Sequence, residues 1–438
     1  MLNHLRINDR IIYRTLECQD IYDGMVCVME QAEKNSPTRE GEERLYAVVN
    51  GLLELAGSHG FGGNLWHSYL AYELACHENA FSMACEVKGR VEGSINTFAC
   101  HDFKIFKELF DYPLEQIDRV FHTDLMKMTA DYDGAGGNSK IFNSRIRDRI
   151  ETLSVQLAGA GSPEEYLDIV TGFYKDCGVG RLGLHKAFRI EGKGAAAQIR
   201  PIPNIAHIYL KDLIGYERQK AKLRANTEAF VEGRRANNCL LYGDSGTGKS
   251  SSIKALMNEY YDRGLRMIEV YKHQLEELPY IIAQIKDRNY KFILMMDDLS
   301  FEDFEVEYKY LKAIIEGGLE KRPDNVLIYA TSNRRHLIRE KYSDKRELQD
   351  DLHVNDTVQE KLSLVSRFGI QIYYGKPDQK EFREIVRQLA LRYRIDMSEE
   401  QLLAEANIWE LNHGGLSGRT AEQFVTHIRS GRKSAEPE

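Results

Sequence analysis

The sequence contains no uncharged apolar run approaching the ~18 residues a membrane-spanning helix requires, so no membrane association is expected. It has no CxxC pair, and its seven cysteines are an odd number. A reducing compartment therefore fits better than a disulfide framework. The first twenty residues, MLNHLRINDRIIYRTLECQD, hold no apolar core followed by a small-residue cleavage site, and a cytoplasmic protein is expected. Net positive charge is also missing: 59 Lys and Arg stand against 67 Asp and Glu, leaving −8. That balance counts against a chain built to coat nucleic acid or anionic lipid. One local stretch departs from it, with Arg181, Lys186, Arg189, Lys193 and Arg200 against Glu191 alone. A solvated linker explains this stretch more simply than contact with a polyanion.

What is present suits an ordinary globular chain. Of its 438 residues, 42% are hydrophobic and 29% charged, enough for buried cores in two or three domains. Residues 1–189 read as a mostly α-helical N-terminal domain. Leu45, Val48, Val49, Leu52, Leu53 and Ala56 fall at helical spacing, and SPEEYLDIVTGFYKDCG has Ser162 as N-cap, Pro163 at the first position, Glu165 three after the cap and Gly178 as terminator. Residues 190–204, rich in Gly, Ala and Pro, read as a linker. Over 205–375 five apolar strands, at 239–243, 266–270, 292–297, 326–330 and 369–374, alternate with amphipathic helices. This α/β pattern predicts a five-stranded parallel sheet covered by helices. Residues 376–431 read as a helical lid, with helices near 378–394, 398–411 and 417–430, and residues 432–438 as a disordered tail.

The chemistry concentrates in two stretches. YGDSGTGKSS spans Gly243, Asp244, Ser245, Gly246, Thr247, Gly248, Lys249, Ser250 and Ser251, a P-loop pattern between a predicted strand and a predicted helix. Its glycines let backbone N–H groups curl around a β-phosphate at a helix N-terminus, Lys249 neutralises β/γ oxygens, and Ser250 ligates Mg²⁺. FILMMDDLSFED, residues 292–303, ends a strand in Asp297. There it would hold Mg²⁺, directly or through water, from a strand expected beside the P-loop. Asp298 follows as the carboxylate that would activate water, and Glu302 is a possible substitute. Asn333 ends the strand NVLIYATSN, Arg367 precedes the last strand, and Arg419 opens the last helix.

These motifs resemble those of the AAA+ ATPases over about residues 205–431. The resemblance implies ATP and Mg²⁺ as ligands and makes Asn333 sensor 1, Arg367 the arginine finger and Arg419 sensor 2. DLIGYERQK resembles the segment lining the adenine pocket, with Ile214 and Gly215 nearest the base. It further implies a homo-oligomer in which Arg367 reaches the nucleotide of a neighbouring copy. SRFG around Arg367 is similar to the corresponding segment of bacterial replication initiators. GNLWHSYLAYELACHENAFSMACEVKG, HDFKIFKELFDY, ANNCLLYGDSGTGKSS, DDLSFED and EKLSLVSRFG together resemble an uncharacterised bacterial AAA+ family described only as a domain of unknown function.

Where many ATPases place a glutamate, this chain has Asp298, one methylene shorter. Slow hydrolysis is expected, because a misplacement of roughly 1 Å can cost ~10²-fold. The leading expectation is thus an ATP-driven switch that remodels or regulates a protein client recruited by the N-terminal domain. A nucleic-acid-handling loader or initiator, an ATP-sensing scaffold and a threading unfoldase are the alternatives. The unfoldase ranks low, since VYKHQLEELPYI offers Tyr271 without the glycine of a pore loop. Cys76, His77, Cys85, Cys100 and His101 are irregularly spaced for zinc and read as free thiols and core residues. Trp66, Tyr69 and Tyr72 read as helical core rather than a base-stacking face, DGAGGNSK (133–140) as a surface loop, and His413 as part of the turn before the last helix.

Overall fold

The computed structural model describes residues 9–134, 144–203, 205–301, 307–316, 323–333, 337 and 364–432. The chain divides into two compact units, Met1–His185 with Pro201–Asn204, and Lys186–Arg200 with Ile205–Glu438.

The first unit is helical. The helix Pro163–Cys177 starts as its sequence dictates: the Ser162 hydroxyl accepts the Glu165 N–H at 3.2 Å. The Glu165 carboxylate reaches one residue further back than a capping box requires and accepts the Gly161 N–H at 2.7 Å. Aromatic side chains fill the interior. Tyr13, Trp66, Tyr69, Phe103, Phe106, Tyr166 and Tyr174 are all fully buried, and the Trp66 indole donates to the Leu109 carbonyl at 3.0 Å. Trp66 and Tyr69 therefore belong to the core, with Tyr72 packed against it. Cys85 is buried in the same core, with Cys76 and Cys100 partly buried against it. Buried carboxylates satisfy backbone ends: Asp102 accepts from the N–H groups of Ile11, Ile12 and Tyr13, and Glu73 from those of Glu17 and Cys18. The loop read at 133–140 lies mostly outside the described residues.

The second unit is built on a sheet of seven strands, two more than the sequence reading anticipates. They are β1 (Ala187–Glu191), β2 (Gln198–Pro201), β3 (Cys239–Gly243), β4 (Leu265–Glu269), β5 (Lys291–Met296), β6 (Val326–Ser332) and β7 (Ile370–Tyr374), in the order β2-β1-β4-β5-β6-β3-β7. Every pairing from β1 to β7 is parallel. Phe292–Met296 of β5 and all of β6 are buried, as expected where helices cover both faces of a parallel sheet. Of the additional strands, β2 falls in the stretch read as a linker, while β1 straddles its start, with Ala187–Arg189 in the stretch read as the helical N-terminal domain. Gly192 and Gly194 lie in the turn between β1 and β2, Pro201 ends β2, and the second unit begins at Lys186. Pairing with β4, some eighty residues later, recruits β1 into the sheet.

Among the described residues seven α-helices accompany the sheet: α1 (Glu217–Val231), α2 (Lys249–Tyr260), α3 (Leu278–Ile285), α4 (Glu307–Glu316), α5 (Gln379–Arg392), α6 (Glu399–Asn412) and α7 (Gly418–Arg432). The last three form the lid around Phe382, Val386, Ala406, Ala421 and Val425. Each starts at a side-chain cap: Asp378 accepts from Glu381 N–H, Ser398 from Gln401 N–H and Ser417 from Thr420 N–H. The α/β P-loop sheet and C-terminal helical lid implied by the resemblance are the fold observed. No helix among the described residues is long and apolar enough to cross a membrane.

Candidate nucleotide site

The loop leaving β3 is shaped by glycines at positive φ, most strictly at Gly243. Gly243 has φ 134°, and a Cβ there would lie 2.1 Å from the Tyr374 carbonyl oxygen. Gly246, at φ 76°, leaves room for the start of α7: a Cβ would stand 3.0 Å from Ser417 Oγ and 3.2 Å from Arg419 Cβ. The loop then enters α2 at Lys249. Thr247 donates to the Asp244 carbonyl at 2.8 Å, closing the turn.

Strand order explains how the polar groups meet. β6 lies between β3 and β5, so the Asp297 strand is not the immediate neighbour of the P-loop strand, contrary to the sequence reading. The end of β6 instead fills the gap between them. Lys249, itself buried, directs its ammonium to the Gly243 carbonyl at 2.9 Å, the Asp244 carbonyl at 2.6 Å and Asn333 Oδ1 at 3.0 Å. Asn333 Nδ2 in turn donates to Asp298 Oδ1 at 2.7 Å. Ser250 Oγ hydrogen-bonds Asp297 Oδ1, and Thr331 Oγ1 donates to the same oxygen at 2.6 Å. Burial pushes the Lys249 ammonium below its ordinary value, opposed by Asp244, Asp298 and Asp297.

The lid closes the other side. The Arg419 N–H donates to the Gly246 carbonyl at 3.2 Å. Its guanidinium is exposed and has no hydrogen bond or ion pair among the described residues. Asp212, Leu213, Ile214, Gly215 and Tyr216 line the cavity opposite Ile385 and Leu389 of α5, and Ile214 packs on the lid core. Arg392 ties these walls together through the Asp212 carbonyl at 2.9 Å. The cavity holds about 710 Å³ and is lined also by Ser245–Ser252, Asp297, Asp298, Thr331, Asn333 and Arg419. It combines an apolar slot with the buried ammonium groups of Lys249 and Lys220, the guanidinium groups of Arg419 and Arg392, and the carboxylates of Asp212, Asp297, Asp298 and Glu422; the cations beside the P-loop suit a nucleotide triphosphate.

Residues 183–432 match the family described as "Protein of unknown function (DUF815)". The chain belongs to the DUF815 family. The match covers more than half of the chain and starts at residue 183, so the N-terminal segments that carried part of the resemblance fall outside it. No curated protein matches. Among solved structures, a Thermotoga maritima RuvB variant is 17% identical over 52% of this chain and 65% of its own, with a TM-score of 0.37. A Thermotoga maritima RuvB described as a Holliday junction branch migration motor is 17% identical over 52% and 65%, with a TM-score of 0.34. The FIGL-1 AAA domain in complex with ADP is 16% identical over 53% and 76%, with a TM-score of 0.37. This DUF815 chain thus spans less than two thirds of these RuvB chains.

Of the residues anticipated from the sequence, Ile214, Gly215, the P-loop from Ser245, Asp297, Asp298, Asn333 and Arg419 line one cavity, and Gly243 and Asp244 lead into it. Arg367 does not join them. It precedes β7, whose Gly243↔Tyr374 pairing puts the P-loop at the opposite, C-terminal end of the strands. Glu302 lies outside the described residues. Sequence reasoning missed Thr331, Lys220 and Arg392. Thr331 had a usable signal, a polar residue at the end of an otherwise apolar strand. Lys220 had none: it sits on α1 with its ammonium 2.6 Å from the Leu213 carbonyl.

Ser250 and Asp297 fit a magnesium site of the kind completed by its ligand. Both present hard oxygens and already touch. Among the described residues no group of three or more His, Cys, Asp or Glu could hold a metal ion. Phosphate oxygens and water would have to fill the remaining octahedral positions.

Proposed function

We propose that this protein is an AAA+ ATPase that binds ATP with Mg²⁺ between sheet and lid and hydrolyses it slowly, in a homo-oligomer whose neighbouring copy supplies Arg367. The observation that carries the reading is the continuous chain Lys249–Asn333–Asp298 beside Ser250–Asp297, inside one cavity that also receives Arg419. Phosphoryl transfer asks the protein mainly for positioning and charge stabilisation. Lys249 and Arg419 supply positive charge to the triphosphate. The Gly246–Ser250 backbone, at the N-terminus of α2, supplies N–H donors, and Asn333 orients a γ-phosphate oxygen or the attacking water. Ser250 and Asp297 would hold Mg²⁺, which neutralises charge on the β- and γ-oxygens. Asp298 accepts the proton of the attacking water.

Asp298 has φ 51°, a left-handed backbone that Asp and Asn adopt several-fold more readily than most side chains. This gives a physical reason for aspartate in place of the longer glutamate, and slow turnover is its consequence. The hydrogen bond to Asn333 supports a second reading, an ATP-sensing scaffold with negligible hydrolysis, because it holds Asp298 away from a general-base role. The helical first unit would recruit the client, which we take to be a protein.

A fluorescent ATP analogue and steady-state turnover test the proposal. Lys249→Ala should lose at least ~10-fold in nucleotide affinity. Asp298→Asn should keep affinity and lose ~10- to 100-fold in turnover. Wild-type turnover in Asp298→Asn removes that carboxylate from the mechanism, and wild-type affinity in Lys249→Ala removes the nucleotide site itself.

A further inference from the structure

We propose that Thr331 is the positioning residue that sets both carboxylates of the site, an assignment resting on the ATP reading above. The β5–β6 register pairs Met296 with Ala330, so one step further Asp297 stands opposite Thr331. Three successive residues of the loop leaving β5 are moored to it. Its hydroxyl donates to Asp297 Oδ1 at 2.6 Å and accepts the Asp298 N–H at 2.9 Å. Its carbonyl accepts the Leu299 N–H at 2.7 Å.

A hydroxyl has one proton, and here it is committed to Asp297. That bond fixes which oxygen of Asp297 faces Ser250, since Ser250 Oγ meets the same Oδ1. The lone pair committed to the Asp298 N–H holds the backbone at φ 51°, the turn from which the Asp298 side chain reaches Asn333. Thr331 is 2% exposed, so its hydroxyl is committed to these protein partners. It touches neither reacting atom and acts through the two aspartates. Because the Leu299 bond uses the backbone, substituting the side chain leaves that mooring intact and isolates the hydroxyl.

The test compares Thr331→Val, which keeps shape and strand preference but removes the hydroxyl, with Thr331→Ser, which keeps the hydroxyl. Affinity for a fluorescent ATP analogue is measured across a Mg²⁺ titration and in EDTA, alongside turnover and a thermal melt. A hydrogen bond to a charged group corresponds to roughly 10- to 100-fold. Thr331→Val should shift the Mg²⁺ half-saturation upward by about tenfold or more and cut kcat by about 10- to 100-fold. Its affinity in EDTA should stay within about twofold, because the P-loop is untouched. Thr331→Ser should restore wild-type Mg²⁺ dependence. Thr331→Val with unchanged Mg²⁺ dependence overturns the assignment while leaving the ATP reading standing. Thr331→Ser failing as badly as Thr331→Val also overturns it, by showing that the methyl group is what matters. Wild-type protein that binds no nucleotide overturns the ATP reading and this assignment together.

Discussion

Gly243 shows how much of the site is decided by a single backbone angle. Its φ of 134° and the 2.1 Å approach of the Tyr374 carbonyl to any added Cβ leave no accommodation for alanine. Gly243→Ala should destabilise the second unit by roughly 2–4 kcal/mol, combining a disallowed conformation with a backbone clash. A chemical denaturation midpoint reads this, and an unchanged midpoint would contradict the geometry described for the β3–β7 junction. The P-loop was legible because its signal is local: glycines, lysine and serine at fixed offsets between a strand and a helix. Asp298 was legible as a departure but not as an explanation. Its left-handed φ and its bond to Asn333 arise from a strand thirty residues away in sequence, which no local pattern records. Thr331 was visible as a polar residue ending an apolar strand, but its two partners, in the loop after β5, were not.

Elements carry a different kind of information. The lid helices were readable to within two residues because each has a polar cap and the first and third have an amphipathic face, and Ser162 and Pro163 announced their helix in the same way. β1 and β2 were not readable. The glycines between them punctuate a turn as well as they would a linker, and pairing with β4 is non-local. In the helical unit, polar burial creates a pH response. Burial raises the Glu73 carboxyl from 4.5 to about 7, against the opposing pull of the Cys18 and Glu17 N–H bonds. A carboxyl raised in the folded state favours folding while protonated. Its contribution is complete below about pH 4.5 and is lost as pH rises to about 7, at up to roughly 1.4 kcal/mol per pH unit. Burial holds His59, His67 and His77 below their ordinary value, which acts in the opposite direction, weakening the fold as pH falls. Glu73 is therefore read as a difference. Between pH 5 and 7, wild-type stability should lose more than that of Glu73→Gln, by urea titration at each pH. Equal slopes for the two proteins would mean that Glu73 ionises normally in the fold.

At the scale of the molecule, strand order is the fact with the most consequences. It inserts β6 between β3 and β5, making Asn333 and Thr331 the bridge between phosphate loop and carboxylates. It also leaves Arg367 at the N-terminal end of β7, at the far end of the strands from the P-loop of its own chain. A catalytic Arg367 must therefore act on another copy. The sequence order of the motifs suggested a role for each, and the strand register adds the separation of Arg367 from the P-loop end of its own strands. The direct test mixes two variants, Lys249→Ala, which lacks the phosphate lysine but keeps Arg367, and Arg367→Ala, which keeps the P-loop. Steady-state ATP turnover is measured for each alone and for the mixture, with mass-resolved sizing in the presence of ATP and Mg²⁺. The account predicts that each variant alone is nearly inactive and that the mixture regains part of wild-type turnover as mixed oligomers form. Wild-type turnover by Arg367→Ala alone, or mixed oligomers with no recovered turnover, would contradict a site shared between copies.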